Sequence, residues 1–88
     1  MERIKNRYEG TINNVKIIDV APKEFKKDGK VYPYGLITFK DRMGDHQYIS
    51  CGKDLVDEFK KYIQENVNII FENNYFNKNK ALILEEIK

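Results

Sequence analysis

The sequence predicts a mainly β domain of five strands and one helix, with the helix between the third and fourth strands. Three observations predict it. Stretches with apolar residues at every second position recur, turn residues separate them, and residues 53–65 instead repeat their apolar residues at helical spacing. With 88 residues the chain is predicted to form a single domain, residues 1–88, with one modest core.

The first predicted strand, residues 8–20, does not keep one alternation. Its apolar residues change parity near Asn13-Asn14 and again near Ile17-Ile18. Each change predicts a β-bulge, and two bulges would bend one long strand enough to serve two sheets of a small barrel. Residues 1–7 are polar and basic, and we expect a mobile arm or the ragged start of this strand.

Residues 21–30 are predicted to be a loop. Pro22 is expected to end the first strand, and Asp28-Gly29 supplies the left-handed position that a turn requires. Residues 1–30 hold eight basic and five acidic residues, a surplus of three, whereas residues 31–88 hold eight and nine. The positive charge of the chain is therefore concentrated in its first third.

The second and third predicted strands, residues 31–40 and 46–51, form a hairpin around a turn with Gly44. Alternation predicts four inward residues: Ile37, Phe39, Ile49 and Cys51. The outward positions are Tyr34, Leu36, Thr38, Lys40, His46, Tyr48 and Ser50. One face of this hairpin therefore carries tyrosines that a core does not obviously need.

Residues 53–65 are predicted to form an amphipathic helix. Its apolar stripe is Leu55, Val56, Phe59, Tyr62 and Ile63, and Asn66 is its expected C-terminal cap. Two more strands follow, residues 67–71 or 67–76 and residues 81–87, joined by a polar turn at Asn77-Lys78-Asn79.

Composition excludes several classes of function. Cys51 is the only cysteine, so no intrachain disulfide or zinc knuckle can form, and a reducing compartment fits. No apolar run approaches the roughly 18 residues of a membrane span, and residues 1–7 lack the apolar segment of a signal peptide. We expect a cytoplasmic protein without membrane contact, a monomer or small homo-oligomer.

Signals for catalysis are weak. His46 is the only histidine and has no second His or Cys for a metal site, so we interpret it as an exposed strand residue. Cys51 falls on the inward parity, without a predictable base beside it. The sequence predicts no enzyme activity and no cofactor.

The predicted order of elements is a long bent strand, two further strands, a helix and two last strands. This order resembles the OB-fold, a five-stranded Greek-key barrel with one helix between strands 3 and 4. The chain is similar to small OB-fold single-stranded nucleic-acid-binding proteins of phages and mobile elements. The resemblance covers nearly the whole chain and lies in element order and face chemistry, without a residue-for-residue signature. It implies a ligand groove across strands 2 and 3, flanked by the loops that join strands 1 and 2 and strands 4 and 5.

Basic and aromatic residues occupy all three of these places. Aromatic rings let bases stack and lysines neutralise phosphates, so together they bind single strands largely without reading sequence. The predicted nucleic-acid-binding residues are Lys23, Lys26, Lys27, Lys30, Tyr32, Tyr34, Lys40, His46, Tyr48, Tyr75, Lys78 and Lys80. The predicted ligand is single-stranded DNA or RNA, and DNA replication is the expected context.

Each signal has an ordinary alternative. The lysines could belong to a solvated loop, and Tyr34 and Tyr48 could be cross-strand partners that shield the sheet. With a net charge of only +2, an OB module that binds replication or conjugation proteins, as accessory factor or inhibitor, is a second hypothesis. Another small barrel, such as an SH3-like one, is a third, and the helix between strands 3 and 4 argues against it.

Overall fold

The computed structural model describes residues 8–73 and 78–87. It confirms a mainly β chain with five strands and a short helical segment between the third and fourth. The strands are β1 (Tyr8–Lys27), β2 (Lys30–Lys40), β3 (His46–Cys51), β4 (Asn66–Asn73) and β5 (Asn79–Glu86). The prediction for residues 1–7 lies outside the described residues.

Strand pairing closes into a ring in the order β1-β2-β3-β5-β4. β1 takes part twice, because its first half pairs with β4 and its second half with β2. The β3–β5 pairing is parallel and has two residue pairs, Ser50 with Lys80 and Cys51 with Ala81, whereas the other neighbours are antiparallel. The ring is thus joined most weakly between β3 and β5.

Both predicted bulges in β1 are confirmed. Register shifts fall between Ile12 and Val15 in the pairing with β4, and between Ile17 and Asp19 in the pairing with β2. Ile17 is held between them, because its N–H donates to the Glu65 carbonyl at 3.1 Å. The bulges bend β1 so that it serves both neighbours in the ring.

The prediction of a loop over residues 21–30 is wrong. β1 runs on to Lys27, and β2 begins at Lys30, so these residues form a two-stranded ribbon that we call the arm (residues 22–35). Asp28 and Gly29 alone form its turn, with φ of 53° and 76°. Two central residues with positive φ define a type I′ hairpin, in which the flanking strands keep their natural twist.

β1 continues through Pro22, and the place of Pro22 in the ladder explains why. In an antiparallel pair, hydrogen-bonded and non-hydrogen-bonded residue pairs alternate, and a two-residue turn is closed by a hydrogen-bonded pair, here Lys27 and Lys30. Counting back, Pro22 opposite Gly35 and Pro33 opposite Glu24 both fall at non-hydrogen-bonded positions. The donor that proline lacks would point away from the partner strand.

The interior confirms the inward residues predicted on β2 and β3. Ile37, Phe39, Ile49 and Cys51 are all at most 5% exposed. Val15, Ile17, Val20, Val67, Ile69, Ala81 and Leu84 complete the strand contribution to the core.

The helical segment is shorter and less regular than predicted. It consists of a 3₁₀ turn at Lys53–Leu55, one α-turn at Val56–Phe59 (α1) and a second 3₁₀ turn at Lys60–Tyr62. Its apolar side still faces the core, where Val56 and Phe59 are buried. The chain turns at Gln64, with φ of 76°, and Asn66 begins β4, so the predicted cap at Asn66 is wrong.

The last two strands meet the prediction more closely. β4 reaches Asn73, between the two predicted ends, and β5 begins at Asn79, two residues before the predicted start. Across residues 8–73 and 78–87, the structure has no helix with the length and apolar character needed to span a membrane.

The turn between β2 and β3 is organised by Asp41. Its Oδ1 accepts hydrogen bonds from the N–H groups of Met43 and Asp45, both at 2.9 Å, and its Oδ2 accepts one from Gln47 Nε2 at 3.1 Å. Gly44 takes the left-handed position, as predicted, with φ of 90°. The hydrogen bond from Asp45 is the largest cause that lowers the Asp41 pKa below its usual value.

This lowered pKa predicts a pH-dependent contribution to stability. Because the folded state favours the ionised carboxylate, the contribution is present above the unfolded pKa of about 4 and disappears as the pH falls through the lower folded pKa. We expect urea unfolding at pH 7 to show Asp41→Asn less stable than the parent, with the difference shrinking towards pH 2. Asp57→Asn, on the exposed side of α1, is the control. A pH-independent difference would contradict this account.

The tight packing of Cys51 and Val56 around Gly35 predicts a second effect on stability. A Cβ on Gly35 would lie 2.6 Å from both Cys51 Sγ and Val56 Cγ2, so Gly35→Ala should lower the free energy of unfolding by about 1–3 kcal/mol. Gly52→Ala is a matched control, because its Cβ would meet nothing nearer than 3.9 Å. Equal midpoints for the two variants in urea unfolding would show that the core accommodates the added methyl group.

Candidate functional site

The outer face of β2 and β3 carries the polar and aromatic residues that alternation predicts. Three residue pairs line up across the two strands on this face: Lys40 with His46, Thr38 with Tyr48, and Leu36 with Ser50. Tyr48 is 65% exposed, which is high for a tyrosine on a sheet. Stability of the sheet does not require such exposure.

The arm extends the same face beyond the ring. Residue pairs that alternate along the ribbon share a face, and one face carries Lys23 with Tyr34, Phe25 with Tyr32, and Lys27 with Lys30. Every position on this face is therefore aromatic or basic.

Three rings on this face form a cluster. Phe25 and Tyr32 stack, with centroids 5.1 Å apart and an angle of 21° between planes, and Tyr34 lies 6.1 Å from Phe25 in a tilted arrangement. Phe25 is 50% exposed and Tyr32 is 41% exposed. The pair is thus fixed in orientation while much of each ring remains open to solvent.

An open groove of about 840 Å³ begins at this cluster. The aromatic cluster and Pro33 form one side, and the ends of β3 and β5 form the other. The residues that line it are Phe25, Lys27, Tyr32, Pro33, Tyr34, Ser50, Cys51, Gly52, Lys78, Asn79 and Lys80.

Hydrogen bonds fix the side of the groove opposite the arm. Ser50 Oγ donates to the Asn79 carbonyl at 3.1 Å, and the nearly buried Asn73 donates from Nδ2 to Asn79 Oδ1 at 2.8 Å. These contacts tie the start of β5 to both β3 and β4. They hold the backbone that carries Lys78 and Lys80 across the groove from the aromatic cluster.

The groove has a positive electrostatic character. Lys27 stands on the arm side, and Lys78 and Lys80 on the β5 side, while no acidic residue is among the described residues that line it. Lysine side chains at both sides suit an anionic backbone that runs between them.

Cys51 contributes to the floor of the groove but offers no nucleophile. It is 1% exposed, and burial raises the pKa of its thiol, against a smaller opposing effect of Lys80. The thiol form therefore predominates at neutral pH, and this form reacts slowly. Within the described part of the chain, no three His, Cys, Asp or Glu residues come together as a metal site.

The structure brings five of the predicted site residues together in the groove: Lys27, Tyr32, Tyr34, Lys78 and Lys80. Five others share the outer face but do not line the groove: Lys23, Lys30, Lys40, His46 and Tyr48. Lys26 pairs with Val31 and lies on the opposite face of the arm. Tyr75 lies outside the described residues.

No known protein family, curated protein or solved structure matches this chain. Its function is therefore argued from the geometry of the groove.

The sequence prediction missed six groove residues: Phe25, Pro33, Ser50, Cys51, Gly52 and Asn79. Phe25 is the most important of them, and the prediction of a loop over residues 21–30 gives it no place on a strand face. The alternation of Lys23, Phe25 and Lys27 contained the signal, since three residues of period two indicate one face of a strand. Ser50 and Asn79 had no comparable signal, because only the short parallel pairing of β3 and β5 makes them neighbours.

Proposed function

We propose that this protein is an OB-fold domain that binds single-stranded DNA in the groove, largely without sequence specificity, with single-stranded RNA as the alternative ligand. The order of strands in the ring and the helical segment between β3 and β4 support the Greek-key OB assignment. The observation that carries the proposal is the aromatic cluster of Phe25, Tyr32 and Tyr34, which faces lysines across an open groove.

The aromatic cluster suits bases that are not paired. The face of an exposed ring can stack on any base, and such stacking contributes about 1–3 kcal/mol per base. In a duplex those base faces are already covered by their neighbours. Because the Phe25–Tyr32 pair is pre-stacked, little side-chain entropy is lost when a base adds to it.

The outer face also offers a continuation of the groove. Ser50 lines it, and Tyr48 lies on the same face two residues earlier in β3, about 7 Å away at the usual rise of a strand. A strand that leaves the aromatic cluster along β3 would reach Tyr48 and then the pair Lys40 and His46. We propose that these residues extend the contact beyond the groove.

A different mode, addition of a peptide strand to the edge of the arm, is disfavoured. Pro22 and Pro33 lie at positions whose backbone groups point outwards, one on each edge of the arm. A proline removes a donor that an added strand would need, which is a common protection of exposed edges. The face of the arm, and not its edge, is the better candidate for binding.

The aromatic cluster generates a prediction about affinity. We expect Tyr34→Ala to weaken binding of a fluorescent oligo-dT about 5- to 150-fold, the equivalent of one lost stacking contact of about 1–3 kcal/mol. Phe25→Ala should have a similar effect, because it removes the ring on which Tyr32 stacks. Fluorescence anisotropy measures both, and Met43→Ala, an exposed apolar residue in the β2–β3 turn, is the control. Unchanged affinity in both aromatic variants would contradict the stacking role.

The lysines generate a prediction about salt. Each phosphate neutralised on a single strand contributes about 0.7 to the slope of log affinity against log salt concentration. We expect Lys27→Ala and Lys80→Ala each to lower that slope by about 0.7, whereas Lys61→Ala, at the far end of the helical segment, should leave it unchanged.

The same titrations test the rival hypothesis of a protein-interaction module. If no single strand binds at low salt, and pull-down recovers one stoichiometric protein free of nucleic acid, the groove serves a protein partner. Binding to oligo-dT that weakens steeply with salt supports the proposal. Parallel titration of oligo-rU ranks RNA against DNA.

A further inference from the structure

Exposed apolar side chains are a starting point for a second binding surface. Seven large hydrophobic residues are exposed among those described: Phe25, Val31, Tyr32, Met43, Tyr48, Ile83 and Ile87. The proposed nucleic-acid surface includes three of them, and Met43 lies at a turn. Val31, Ile83 and Ile87 are left without a role, although they are 51%, 53% and 41% exposed.

Ile83 and Ile87 belong to one patch on the outer face of β4 and β5. They alternate with Glu85 along the outward positions of the chain, and Ile83 pairs with the half-buried Ile70 of β4. We call this surface the acidic patch: Ile70, Ile83, Glu85 and Ile87. β5 adjoins β3 and its first residues line the groove, but the patch lies further along β5 and on β4, and none of its four residues lines the groove.

The carboxylate of the acidic patch is held in position. Asn68 Nδ2 donates to Glu85 Oε1 at 3.4 Å, and Asn68 Oδ1 accepts the N–H of Asn14 at 2.8 Å. Asn14 belongs to the bulge of β1 and has φ of 55°. An exposed acid is thereby oriented between two exposed isoleucines, an arrangement that suits a cation beside an apolar group.

The back face of the arm has that chemistry. Val31 pairs with Lys26, and this pair faces away from Phe25 and Tyr32 because successive pairs on a ribbon alternate between its faces. Glu24 lies on the same back face, and exposed Lys16 borders the acidic patch next to Asn66. The acidic patch and its border therefore offer Glu85 and Lys16, and the back face of the arm offers Lys26 and Glu24 as residues of opposite charge.

We propose that the acidic patch binds the back face of the arm of a second copy of this chain. In the proposed contact each copy gives its acidic patch to one neighbour and the back face of its arm to another, so that the assembly continues from copy to copy instead of closing as a symmetric dimer. The aromatic cluster, on the other face of each arm, stays free, and Pro33 is the one groove residue that lies on the back face. If the proposed function holds, consecutive copies would align their grooves along one strand and bind it cooperatively.

Sedimentation velocity over a concentration series tests the contact without any nucleic acid. We expect the mean sedimentation coefficient of the parent to rise with concentration beyond that of a dimer. Glu85→Lys and Lys26→Glu should each weaken association about tenfold or more, because each places like charges in the contact. Glu58→Lys, on α1, is the matched control and should associate like the parent.

Recombination of the charges distinguishes this contact from general loss of solubility or fold. Alone, Glu85→Lys and Lys26→Glu should each associate more weakly than the parent, but an equimolar mixture should associate like the parent, and so should the double variant. Thermal unfolding of each variant verifies that it is folded. A parent that stays monomeric at all concentrations, a plateau at the dimer, or a mixture that fails to recover association would each overturn the proposal.

The outcome is independent of nucleic-acid binding. Affinity for an oligo-dT long enough for only one copy tests the groove, whereas sedimentation tests the contact between copies. If the oligo-dT does not bind but sedimentation shows association between copies, the proposed function alone is overturned. The reverse result overturns only the head-to-tail contact.

Discussion

The double pairing of β1 is the constraint on which the rest of the structure depends. One strand must leave β4 and join β2 while its apolar side chains keep facing one interior, and a strand of strict alternation cannot do so. The two register shifts supply the change of direction, and Val15, Ile17 and Val20 all remain buried across them. Without the bulges the ring could not close through β1, and the outer face of β2 and β3 would lose its curvature.

The arm follows from the same long strand. β1 and β2 continue past the last pair that β2 makes with β3, Gly35 with Cys51, so the ribbon beyond that point has no core beneath it. An isolated ribbon is only marginally stable in water, and its stability here comes from the type I′ turn and cross-strand pairs such as Phe25 with Tyr32. Aromatic residues on such a ribbon contribute local stability and also remain available to a ligand.

Much of this fold could be predicted, for identifiable reasons. β3 begins and ends where predicted, since His46–Cys51 alternates strictly between two turns, and the bulges of β1 were visible as slips of parity. The arm could not be predicted by treating Pro22 as a strand breaker, because only the register with β2 shows that its missing donor is harmless. The groove needed the parallel contact of β3 with β5, which no local pattern in the sequence encodes.

A net charge of +2 gives little overall attraction for a polyanion, but the distribution of charge matters more than its sum. Lys27, Lys78 and Lys80 line the groove, whereas Glu85 lies on the outer face of β5, in the acidic patch. The domain measures 40 × 32 × 22 Å, and charges in water at about 0.1 M salt are screened beyond roughly 10 Å. A phosphate in the groove therefore responds chiefly to charges within that range, which are the three lysines that line the groove and two nearby carboxylates: Asp54, whose charge acts on Cys51, and Glu72, which pairs with Lys80 across β4 and β5.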